Sequence, residues 1–186
     1  MSGVELDLKK VVEARKLELS YIDEKEVWVK ITRKEAIRRG IKIIGVRWID
    51  VNKGDAIHPN YRSRLVGKEF NNYKDLSIFA ATPPLEALRF IISEAATTEG
   101  SNKDNDKVVM INDVSRAFFE ADATRDMAVE LPEESKSEED RRLDRVAILK
   151  KSLYGARDAA MNIQKEVRKM MTASGFEVGQ YNVCRF

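Results

Sequence analysis

Asp113 closes an apolar, β-branched run, KVVMIND (107–113), and Ala117, Phe118 and Phe119 follow close behind. A carboxylate at the end of a buried strand, beside a free backbone carbonyl, offers the hard oxygen ligands that Mg²⁺ takes. Two such ions about 4 Å apart drive phosphoryl transfer, one activating the attacking oxygen and one clamping the leaving group. The same aspartate also suits a turn former or a helix N-cap, and Phe118 and Phe119 also suit an ordinary core. Upstream, Arg62, Arg64 and Lys68 alternate along a second β-rich run, NYRSRLVGKEF (60–70), and so share one strand face. There they suit a triphosphate or a template backbone, or they guard a sheet edge against aggregation.

The rest of the composition narrows the chemistry. Cys184 and His58 are each the only residue of their type, so neither a disulfide within the chain nor a zinc site of the usual Cys/His kind can be built. A histidine-based triad would have to run through His58, which precedes Pro59 in an expected loop. The net charge of +2 gives no global basic field that would by itself argue for nucleic acid. No apolar stretch approaches the length of a membrane helix, and the start of the chain lacks the apolar core of a signal peptide. The expectation is an intracellular protein in a reducing compartment, with no membrane partner.

The elements that must position these residues follow from periodicity and punctuation. Residues 4–24 carry Val4, Leu8, Val11, Val12, Leu17 and Leu19 at helical spacing. A short strand is expected at 25–31, then a helical turn stopped by Gly40. Runs 41–50 and 60–70, separated by turn formers, predict a hairpin with a long loop. Thr82 as N-cap and Pro83 at the first helical position predict a helix over 82–97, with Leu85, Leu88, Ile91, Ile92 and Ala95 on one face. A polar loop, the strand 107–113 and a helix near 115–120 come next. Strand 126–131 then stops at Pro132, the charged insertion 132–145 reads as a solvated excursion, and 146–155 reads as a strand and then a turn. A helix over 157–175 closes the pass, with Ala159, Ala160, Ile163, Val167 and Met170 inward and Gly175 as its C-terminal stop. This order predicts an α+β fold, a mainly antiparallel sheet with helices packed on one face. Trp48 is expected in the core.

Six segments, in order and spacing, resemble the reverse transcriptase of Ty1/copia-type LTR retrotransposons. They are GVRWIDVNKGD with YRSRLVGKEF, then IFAATPPLEALRFII, MINDVSRAFFEA, MAVELPEE, LKKSLYGARDAA and SGFEVGQYNVCRF. The resemblance runs from about Trp28 to Phe186. It implies an N-terminal segment (1–24), a fingers-like region (25–106) and a partial palm (107–186). In that family Asp113 would be a catalytic, metal-binding carboxylate, helped by the backbone carbonyl of Val114. Phe118 would exclude a ribose 2′-hydroxyl, and Tyr154 and Gly155 would lie against the incoming base pair. Arg62 or Arg64 would meet the triphosphate, the alignment leaving open which.

The resemblance further implies RNA-directed DNA polymerase activity in the complete enzyme, with Mg²⁺ as cofactor, a template-primer and dNTPs as partners, and the remaining Pol segments (thumb, RNase H, integrase) beside it. Its expected setting is the cytoplasm, in a virus-like particle, or the nucleus. Departures accompany the likeness: Asp158 stands where the family usually has Gln. No Asp-Asp pair occurs in the sequence, whereas the family's second metal motif is aromatic-x-Asp-Asp. The expectation is therefore a fold incomplete at its C-terminus and a chain inactive alone. The alternatives are a nucleic-acid-binding remnant without catalysis and a degenerate, non-functional element copy.

Overall fold

A computed structural model describes residues 5–70, 78, 80–97, 111 and 113–179. The strand expected at 107–113 and the closing Cys-x-Phe segment fall almost wholly outside these residues. The elements in order are α1 (Leu8–Glu24), β1 (Trp28–Thr32), α2 (Arg33–Arg38), β2 (Lys42–Ile44), β3 (Val46–Asn52), β4 (Tyr61–Gly67), α3 (Leu85–Ala96), β5 (Met127–Glu130), α4 (Glu138–Arg142), β6 (Arg145–Leu149) and α5 (Ala159–Ala173). Short 3₁₀ turns lie at Ala117–Glu120 and Glu133–Ser135.

Four strands form one sheet in the order β1-β6-β5-β2, and β3-β4 form a separate antiparallel hairpin. The hairpin expected from the sequence is present, with Trp48 opposite Leu65 and Asp50 opposite Ser63. In the larger sheet β6 pairs antiparallel with β1 and β5, while β2 runs parallel to β5. Strands from before and after the Asp113 segment thus share one ladder, so the chain leaves the sheet, passes through that segment, and returns.

Strand alternation gives the sheet two faces. Trp28, Met127, Val129, Ala147 and Leu149 pack with Ile22 of α1, Leu65 of β4, Phe119 and Leu153. Val146 and Ala128 pack on the other side with Ala36 of α2. Helices on one face only was the expectation; instead α2 covers the second face. Fully buried side chains such as Ile22, Leu65 and Phe119 contribute about 1.5–3 kcal/mol each.

Several local expectations need correction. The buried stripe of α1 is Val11, Glu18 and Ile22, while Leu8, Val12 and Leu17 are exposed. Helix α3 starts at Leu85 with Pro84 at the N-cap position and no side-chain cap; none of its residues is buried. The region near 115–120 is a 3₁₀ turn, not an α-helix. In α5 Ala159 and Asn162 are buried, whereas Ala160 and Met170 face solvent. Gly175 does end α5: at φ +89 its N–H donates to the Thr172 carbonyl, and the Phe176 N–H reaches back to Met171. Trp48 is only partly buried, its Nε1 donating to Glu134 at 3.1 Å.

The charged insertion is largely exposed, as expected, but it is docked at Glu134 and Asp140. Ser137 and Asp140 cap α4 reciprocally. Asp140, with its side chain 2% exposed, meets Lys30 at 2.6 Å and Arg145 at 3.4 Å. Glu134 takes Arg15, which also grips Asp50 through two nitrogens. Acid–base pairs at long sequence separation thus hold what hydropathy assigned to solvent.

A second polar node joins the hairpin to the sheet. Glu69, just past β4, accepts from both Nη atoms of Arg125 (3.0 and 2.8 Å), from Lys42 Nζ (3.1 Å) and from the Arg157 backbone N–H (2.9 Å). Burial works against its ionisation, but these donors outweigh burial and hold the carboxyl at about 2. A depressed carboxylate contributes stability above its unfolded pKa and loses it as pH falls through the folded one. Glu69→Gln is therefore expected to lower the unfolding free energy at neutral pH by about 3 kcal/mol. The gap between variant and wild type should close between pH 4.5 and about 2, as read by urea unfolding across that range.

Candidate functional site

Four separate parts of the chain meet at one cavity of about 560 Å³. Helix α1 packs along β4 and contributes Glu18 and Tyr21; β4 contributes Arg62 and Arg64; the segment Asp113–Phe118 and Tyr154 complete the wall. Of the residues singled out from the sequence, Arg62, Arg64, Asp113, Val114, Phe118 and Tyr154 are all brought together here. Gly155 is not in this wall.

Position on β4 follows from its alternation. Ser63, Leu65 and Gly67 are buried and Arg62 and Arg64 are exposed, as the shared strand face requires. Among the described residues neither arginine forms an ion pair. Arg64 places its guanidinium carbon 5.2 Å from the centre of the Tyr154 ring, a cation–π contact. Tyr154 also receives Phe118 and Phe119 edge-on, with ring centres 4.8 and 5.7 Å away. Burial raises the Tyr154 phenol above its ordinary value, partly opposed by Arg64, so the ring is neutral at physiological pH.

The Tyr154–Gly155 turn is pinned to β4. The Gly67 N–H donates to the Tyr154 carbonyl at 2.7 Å. Gly155 sits at φ +80, and a Cβ there would come 2.2 Å from the Gly67 carbonyl oxygen. Its absent side chain lets the turn approach the strand, a role in backbone contact.

The Asp113–Phe118 segment is anchored from α1. Arg116 adopts a left-handed backbone (φ +51), and its carbonyl accepts the Phe119 N–H at 2.9 Å. Its Nε donates to Glu18 Oε2 at 2.9 Å, and its guanidinium carbon lies 3.4 Å from the Tyr21 ring centre. Glu18 is 2% exposed, and its other oxygen is buried without a partner. Nothing in the local sequence pattern singles out Arg116 or Tyr21. The available signal was an acid within the stripe Val11–Glu18–Ile22, whose spacing is helical.

Asp113 is exposed and irregular in backbone, and among the described residues nothing pairs with its carboxylate. An unengaged carboxylate beside a backbone carbonyl is a donor set of the kind a hard cation takes. It is a partial set: among the described residues no three metal-ligating side chains cluster. Two arginines without an ion pair among the described residues and one uncommitted carboxylate thus border one cavity, with Phe118 and Tyr154 in its wall. No described helix is long and apolar enough to cross a membrane.

A family model described as reverse transcriptase (RNA-dependent DNA polymerase) matches residues 27–184. No curated protein and no solved structure matches the chain.

Two glycines with left-handed backbone make a controlled comparison. Gly40 has φ +69 with open space where a Cβ would go, so Gly40→Ala should cost about 1–2 kcal/mol from backbone strain alone. Gly155→Ala adds a clash with β4 and should cost roughly a further 1–3 kcal/mol, read as the difference between the two variants in urea unfolding.

Proposed function

Since the chain belongs to the reverse-transcriptase family, we propose that it is the fingers and part of the palm of a Ty1/copia-type retrotransposon polymerase, a Pol polyprotein segment for RNA-directed DNA synthesis. The observation that supports this reading best is the convergence of Arg62, Arg64, Asp113, Phe118 and Tyr154 on one cavity. The fingers-like body in this reading takes in β5 and β6 as well as β1–β4, because β1, β2, β5 and β6 share a sheet.

Arg62 and Arg64 receive phosphate, as fixed donors on a strand ladder. Phe118 stands against the sugar and rejects a 2′-hydroxyl by bulk. Tyr154, backed by Phe119, supports the base pair, and Gly155 lets that support sit close on β4. Asp113 and the Val114 carbonyl would hold one Mg²⁺, which would supply Lewis-acid chemistry at the transferring phosphate. These residues include no Asp-Asp pair, so two-metal catalysis needs carboxylates that they do not supply. The chain alone is expected to bind without incorporating nucleotide. Its partners in this reading are template-primer, dNTP and the other Pol segments, inside the cell in a particle or the nucleus.

The test is binding of an RNA–DNA primer-template across a salt series. Affinity should fall steeply with salt, and each of Arg62→Ala and Arg64→Ala that removes a phosphate contact should reduce the log–log slope by about 1. The single variants also decide which arginine meets the nucleic acid. Absent or salt-insensitive binding would overturn the reading.

A further inference from the structure

Helix α1 ends before residue 27, where the family match begins, yet it builds one wall of the cavity. We infer that Glu18 on this helix is a positioning residue that sets sugar discrimination, acting through Arg116 on Phe118. The inference rests on the polymerase reading above and adds to it a part of the chain that the family match does not include.

The argument starts from the backbone. Arg116 lies between Asp113 and Phe118, and its left-handed conformation turns the chain there. Its carbonyl accepts the Phe119 N–H and so opens the 3₁₀ turn that carries Phe118. Whatever fixes Arg116 therefore fixes the direction in which Phe118 leaves the backbone. A non-glycine residue holds that conformation only when its surroundings over-determine it.

Two contacts do so. Arg116 Nε donates to Glu18, and its flat guanidinium lies on the Tyr21 ring three residues further along the same helix face. Among the described residues this is the one ion pair that ties the Asp113–Phe118 segment to another element. A buried pair with an orphaned oxygen, as Glu18 has, is a weak net contributor to stability, and its best-attested use is to fix an arrangement. The arrangement fixed here is the ring of Phe118 edge-on to Tyr154, on the cavity wall where a sugar would lie.

Equilibrium dialysis of the chain with primer-template, Mg²⁺ and either dATP or ATP tests this. Wild type is expected to favour dATP by roughly tenfold or more, within the range a steric pocket achieves. Glu18→Gln and Arg116→Ala should each bring the two nucleotides to near equality, and the double variant should add nothing further. Arg62→Ala with Arg64→Ala should weaken both nucleotides alike and leave their ratio intact. Trypsin supplies a readout free of ligand: cleavage after Arg116 should quicken in Glu18→Gln and not in Glu13→Gln, on the exposed side of the same helix. If Glu18→Gln fails to fold, Arg116→Lys, which keeps charge but loses the flat face, replaces it. Wild-type discrimination that survives both Glu18→Gln and Arg116→Lys overturns this inference alone. A wild type that binds neither nucleotide overturns the polymerase reading and the inference with it.

Discussion

Glu69 is where the fold is held together across parts that share no ladder. The β3-β4 hairpin and the four-stranded sheet are separate in hydrogen bonding, and one buried carboxylate reaches both. It takes Lys42 from β2, Arg125 from the approach to β5, and the backbone N–H of Arg157 after the tyrosine-glycine turn. Arg125 in turn meets Asp158 at 2.6 Å, and Asp158 accepts from Thr124 and Asn162 at the head of α5. The Gly67–Tyr154 hydrogen bond lies two residues from Glu69. The node therefore fixes the turn against β4 and puts the Tyr154 ring between Arg64 and Phe118.

Charges are a costly way to make such a joint. Burial alone would favour the neutral forms of Glu69 and Asp158, and Arg125 keeps one buried nitrogen without a partner. Directionality is what apolar contacts could not supply, since an arginine fork meets a carboxylate in one plane. Asp158 supplies a second acid to this joint. With an acid there, Arg125 is shared between two carboxylates, and the start of α5 is drawn into the same node.

What was legible in the sequence was the local part of this design. Alternation in YRSRLVG gave the hairpin strand and the exposed arginines, and Gly175 marked the end of α5. The order of motifs also pointed to one group of residues, of which Arg62, Arg64, Asp113, Val114, Phe118 and Tyr154 line a single cavity while Gly155 lies outside its wall. What was not legible was carried by long-range charge. Periodicity counts Glu18 as a defect in the apolar stripe of α1, because its partner lies 98 positions away. It likewise counts the insertion at 132–145 as solvent-loving, because Lys30, Arg15 and Asp50 are remote in sequence. The apolar periodicity of α3 misled in the opposite sense, since the described residues bury none of it.

The residues around the cavity differ in how firmly they are held, and that gradient bears on how a polymerase fragment would meet its ligand. The β4 ladder fixes the backbone of Arg62 and Arg64, whose side chains are exposed, and Tyr154 is held by a backbone bond and three aromatic or cationic contacts. Phe118 depends on a left-handed residue braced from α1. Asp113 has no bond at all among the described residues. Cations without a carboxylate partner attract phosphate. Mg²⁺ is held in such sites by one or two carboxylates together with the phosphates themselves. A carboxylate that stays uncommitted until a metal–triphosphate arrives avoids pairing with Arg62 or Arg64, which would neutralise both. In the proposed reading, the uncommitted Asp113 and the two arginines, without an ion pair among the described residues, meet one electrostatic requirement: cations and carboxylate must share a cavity without satisfying each other.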